Sequence, residues 1–124
     1  MLAIATAAVF VFLAGLHFYW AAFGTGKNSA AIPEVDGVPA FRPSKAATAA
    51  VGVVLLATAA IVLLEVKLLI AGAAAVLVLR AIGDFRLLGF FKRVKGSKFA
   101  RMDTLVYSPL CLALGIALGL LAAR

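Results

Sequence analysis

Residues 46–80 read AATAAVGVVLLATAAIVLLEVKLLIAGAAAVLVLR, and this stretch decides the fold. From Ala46 to Leu64 no side chain is charged, and Ala, Val and Leu dominate. At 1.5 Å rise per residue such a run crosses a hydrocarbon core of about 30 Å. Glu65-Val66-Lys67 leaves room only for a very short turn, so the apolar run from Leu68 must return antiparallel beside the first. That second run meets Arg80 and then Asp84 and Arg86, charges placed where hydrocarbon is expected.

Outward from this hairpin the pattern repeats. On the N-terminal side lies a connection, Gly24 to Lys45, punctuated by Gly24, Gly26, Asn28, Pro33, Gly37, Pro39 and Pro43, which opposes continuous helix. Before it, Met1 to Phe23 carries no charged side chain. Without a basic leading region or a small-residue cleavage site, it reads as a retained helix rather than a signal peptide. On the C-terminal side, Lys92, Arg93, Lys95, Lys98 and Arg101 form a basic connection, followed by an apolar run to Ala123. Pro109 within that run predicts a kink, or a helix that starts only at Ser108-Pro109. The expected fold is all-α: a four-transmembrane-helix antiparallel bundle forming a single membrane domain over residues 1–124, with spans near 2–23, 46–64, 68–88 and 105–123.

Composition agrees. Hydrophobic residues make up 65% of the chain and mean hydropathy is +1.15, against about 45–50% apolar residues in a soluble domain. A chain of 124 residues has no core large enough to hide that surface from water, so lipid is its solvent. The net charge of +7 sits mostly in one connection, which marks a cytoplasmic face and not a nucleic-acid partner. Four crossings then place both termini outside and the basic connection inside a plasma membrane; Lys27, Arg42 and Lys45 agree in sign against Glu34 and Asp36. Residues 92–101 are expected to touch anionic headgroups. One cysteine, Cys111, excludes an internal disulfide, and one histidine argues against a multi-histidine metal site; no cofactor is implied.

Depth groups the polar residues. His17, Tyr19 and Trp20 fall late in the first span, Arg80, Asp84 and Arg86 late in the third, and Asp103 and Tyr107 at the start of the fourth. All eight belong to the inner half of such a bundle and are the candidate ligand-binding residues. Arg80 and Asp84 are four apart and predict a pair on one helical face; Asp103 is a second partner for Arg80 or Arg86. The bland readings are an arginine snorkelling to the interface, an aromatic belt at Tyr19, Trp20 and Tyr107, and a packing histidine.

His17-x-Tyr19-Trp20, the block Ile82-Gly83-Asp84-Phe85-Arg86-x-x-Gly89-Phe90-Phe91-Lys92-Arg93, and Tyr107-Ser108-Pro109-Leu110-Cys111 together resemble a bacterial family of small four-helix integral membrane proteins catalogued as a domain of unknown function. The resemblance covers essentially the whole chain. It implies a membrane bundle and brings no activity with it.

Three functions stay open. The first is a cytoplasm-facing polar pocket that binds or transports a small anionic or amphipathic molecule; transport through so few helices would call for a homodimer. The second is an intramembrane enzyme with His17, Asp84 and Tyr107 as acid–base candidates, although no recognised catalytic spacing is present. The third is an accessory subunit of a larger membrane complex.

Overall fold

The computed structural model describes residues 1–25 and 30–124. Gly26, Lys27 and Asn28, used above for punctuation and charge, lie outside the described residues. The elements in chain order are α1 (Leu2–Phe23), a hairpin of β1 (Glu34–Val35) and β2 (Val38–Pro39), α2 (Lys45–Leu63), α3 (Lys67–Ile82), α4 (Lys98–Met102), a π-helical turn (Asp103–Tyr107) and α5 (Ser108–Ala123). The last three are continuous over Lys98–Ala123. Three helices are long and apolar enough to cross a membrane: Leu2–Phe23, Lys45–Leu63 and Lys98–Ala123. Their surfaces are apolar all round, with Phe12, Val54, Leu105 and Ile116 among many large side chains left exposed. Such faces suit lipid.

The chain forms two compact units. The first comprises residues 1–24, 43–74 and 116–124. Here α1 and α2 pack together, and Phe10, Ala14, Ala59 and Val62 are buried. Gly52 lets the Phe18 ring approach; a Cβ on Gly52 would stand 2.8 Å from it. Ser44 caps α2 by accepting from the Ala47 N–H at 3.0 Å, which satisfies one of the donors a helix start leaves free. At the other end the chain reverses through a Schellman turn: the Val66 N–H reaches Ile61 O and the Glu65 N–H reaches Val62 O, each at 3.2 Å. Glu65 takes φ 57°, the place glycine usually fills.

The second unit comprises residues 25–42 and 75–115. In its hairpin Asp36 and Gly37 both have positive φ, 53° and 78°, the two-residue turn that Asp-Gly favours. Glu34 pairs with Pro39 and Val35 with Val38. The Asp-Gly signal stood in the sequence, inside what punctuation alone reads as irregular connection.

Two boundaries differ from expectation. The third span, expected over 68–88, ends as helix at Ile82, where Gly83 turns to φ 91° and its N–H still bonds Leu79 O at 2.8 Å. The helix that remains has 16 residues, about 24 Å, and it is not among the candidate spans. The last helix begins at Lys98, earlier than the expected 105, capped by Ser97 accepting from the Ala100 N–H at 2.9 Å. Pro109 neither starts nor breaks it. Proline removes one N–H and crowds the carbonyl four residues back; the wider π turn just upstream, with the Ser108 N–H on Asp103 O, accommodates that demand.

Candidate functional site

Between α3 and the last helix the chain folds into a tight loop, and its closure begins with glycine. Gly83 and Gly89 both hold positive φ, 91° and 84°. Their backbones touch: a Cβ on Gly83 would lie 1.8 Å from Leu88 O, and one on Gly89 would lie 2.3 Å from Ile82 O. Only hydrogen fits there. The Phe90 N–H to Ala81 O bond at 2.8 Å and the Val94 N–H to Arg86 O bond at 2.8 Å secure the crossing.

Asp84 organises the inside of this loop. Its Oδ1 accepts from the N–H groups of Arg86, Leu87 and Leu88 at 2.9, 2.8 and 3.0 Å. Desolvation pushes the Asp84 carboxyl up, but the N–H donors of Arg86, Leu88 and Leu87 together outweigh it and hold it below the usual carboxylate range. The expected Arg80–Asp84 pair is therefore not made. Four-residue spacing places side chains on one face only while the helix continues, and α3 has ended two residues before Asp84.

Arg80 pairs instead with Asp103, Nη2 to Oδ1 at 2.8 Å. The other oxygen of Asp103 accepts from the Gly89 N–H at 2.8 Å and from Lys92 Nζ at 3.1 Å. Lys92 Nζ also donates to Gly89 O at 3.0 Å and to Thr104 Oγ1. Asp103 and Lys92 are buried, at 0% and 3% exposure. Two cations thus face one carboxylate, which leaves one positive charge uncompensated. Arg80 Nη1 and the Ser108 hydroxyl are buried without a hydrogen-bond partner among the described residues.

Lys92, read in sequence as part of a headgroup-facing run, is turned inward and does not belong to that face. Gly89, Lys92 and Thr104 are the members of this cluster that sequence reasoning missed. Basic clustering disguised Lys92, and nothing local distinguishes Thr104. The paired positive-φ glycines were the available signal, since both stand inside the block quoted for the family resemblance.

The remaining candidates are placed as follows. Tyr107 donates its hydroxyl to Ala30 O at 3.0 Å and packs its ring on Phe99, tying the first connection to the last helix. Arg86 is exposed on the loop. His17, Tyr19 and Trp20 belong to α1 in the first unit. His17 donates from Nδ1 to Leu13 O at 2.7 Å and meets Trp20 edge-on at 5.1 Å; Tyr19 packs on Phe23. Among the described residues, Arg80 and Asp103 are the predicted charged residues brought into direct contact, and His17 and Trp20 the predicted rings.

Beside this brace lies a groove of about 280 Å³ lined by Lys92, Lys95, Arg101 and Thr104 together with Ala100 and Leu105. Among the described residues no acidic side chain lines it. Its exposed cations, Lys95 and Arg101, stand beside exposed Leu105.

Residues 10–118 match the family described as Protein of unknown function (DUF3995). The chain belongs to the DUF3995 family. The resemblance carried by His17–Trp20, the Ile82–Arg93 block and Tyr107–Cys111 is therefore one of membership. For this DUF3995 chain no curated protein and no solved structure matches, and the family description carries no activity.

Proposed function

We propose that this chain is a small integral membrane protein that binds the anionic group of an amphipathic molecule in the groove at the head of its last helix. One observation carries this reading: two exposed basic residues, Lys95 and Arg101, line a groove that among the described residues holds no acid and is flanked by exposed Leu105. The groove opens where a helix able to cross a membrane begins, the level at which headgroup meets chain. The Arg80–Asp103–Lys92 brace fixes one of its basic walls and leaves a positive charge beside it.

The topology we propose keeps four crossings, with the basic loop cytoplasmic and both termini outside. The short α3, with 16 residues or about 24 Å, crosses where the bilayer thins locally to match it. Of binding and transport, the reading keeps binding, which the basic lining of the groove supports.

The test is native mass spectrometry of the purified protein with phosphatidylglycerol, against a neutral detergent background. Each basic residue near a headgroup is worth about 1 kcal/mol, so a Lys95→Gln, Arg101→Gln double variant should lose roughly 30-fold in affinity. Equal binding by the variant and the parent would remove the groove from the function.

A further inference from the structure

A second groove shares a wall with the first. It encloses about 470 Å³, and its lining includes Glu34, Asp36, Arg93, Lys95, Gly96 and Ser97. Lys95, Gly96 and Ser97 line both grooves. The far wall of the second is the β1–β2 hairpin, which presents two carboxylates opposite two cations. No ion pair joins Glu34 or Asp36 to Arg93 or Lys95 among the described residues. Arg93 is held in place by its Nε donating to Phe85 O at 3.0 Å, and its N–H bonds Arg86 O at 3.0 Å. The hairpin is fixed in turn by the Asp36-Gly37 turn and by the Ala40 N–H on Pro33 O at 2.8 Å. Opposite charges held apart on two anchored walls, with space between, suit a guest that carries both signs.

We infer that the ligand is a phosphoethanolamine ester, its phosphate at Lys95 on the wall the two grooves share and its ammonium among Glu34 and Asp36. This rests on the phosphate-binding reading of the first groove and adds what selects the headgroup. An ammonium brings three N–H donors to carboxylates; a trimethylammonium brings none. A glycerol headgroup has no cation to offer, so its binding depends on the phosphate alone. Discrimination among these headgroups therefore belongs to the hairpin, and affinity for phosphate belongs to the basic wall.

The experiment uses the full chain with dioleoyl phosphatidylethanolamine, phosphatidylcholine and phosphatidylglycerol, titrated singly under native mass spectrometry. Phosphatidylethanolamine should bind about tenfold tighter than phosphatidylcholine. A Glu34→Gln, Asp36→Asn double variant should erase that preference while phosphatidylglycerol binding stays as it was. D36N preserves the turn, because Asn-Gly adopts the same conformation as Asp-Gly, so the hairpin is retained. Equal binding of the ethanolamine and choline lipids by the parent protein overturns the inference, as does a preference that survives in the variant. Loss of phosphatidylglycerol binding in the parent overturns the underlying phosphate site instead. Competition by soluble glycerophosphoethanolamine identifies the source: displacement supports the free ester as ligand, and resistance to displacement supports the bilayer lipid.

Discussion

Asp103 is the residue on which the second unit turns. It is fully buried and accepts from a guanidinium, an ammonium and a backbone N–H. Removing one partner of a buried pair leaves uncompensated charge, at about 3–5 kcal/mol. Asp103→Asn should therefore lower stability by about that amount in a detergent melt. Arg80→Gln should cost less, about 1 kcal/mol, since the Arg80 side chain is 28% exposed and solvent screens it. Equal losses from the two substitutions would show that Asp103 is not the hub. Ser108 gives a prediction of opposite sign. Its buried hydroxyl has no partner among the described residues, and an unsatisfied buried polar group costs about 1–3 kcal/mol. Ser108→Ala should leave the melting temperature unchanged or raise it; a marked fall would reveal a hydrogen bond there.

The loop between α3 and α4 is the element that makes the site. Gly89→Ala would force a side chain into left-handed backbone, about 1–2 kcal/mol, and against Ile82 O, with overpacking typically about 1–3 kcal/mol more. It should loosen the Asp103 brace while leaving α1 and α2 intact, seen as lost amide protection confined to residues near Gly89, Lys92 and Asp103. Acid should act on the same loop through Asp84. Its carboxyl is depressed in the folded loop, so its contribution is complete above about pH 3.9, the ordinary aspartate value. That contribution is lost as pH falls through the lower folded value. The amide proton shifts of Arg86, Leu87 and Leu88 should titrate together with a midpoint below 3.9; a midpoint at or above it would contradict the three-donor arrangement. The hairpin turn and the caps at Ser44 and Ser97 went unread in the sequence, although each depends on residues at fixed short offsets. The Arg80–Asp84 pairing was misread because it assumed a helix that Gly83 ends.

At the scale of the molecule the question is how many times the chain crosses the bilayer. Four crossings place Met1 and Arg124 on the same side; three place them on opposite sides. Cysteines introduced at each terminus in a Cys111→Ala background should both react with an impermeant maleimide from outside the cell, and protection of one alone would show that α3 does not cross. The apolar runs, their approximate lengths and the polar breaks between them followed from the sequence by itself, because a long uncharged segment satisfies its backbone in lipid only as a helix. Family membership followed likewise, from contiguous residues. Tertiary structure alone decided which charges meet. Asp103 lies 23 positions from Arg80 and 11 from Lys92, and no helical period links such distances. They come together only after two glycines let the intervening backbone close on itself, burying one lysine of the basic run and leaving Lys95 and Arg101 to line the groove.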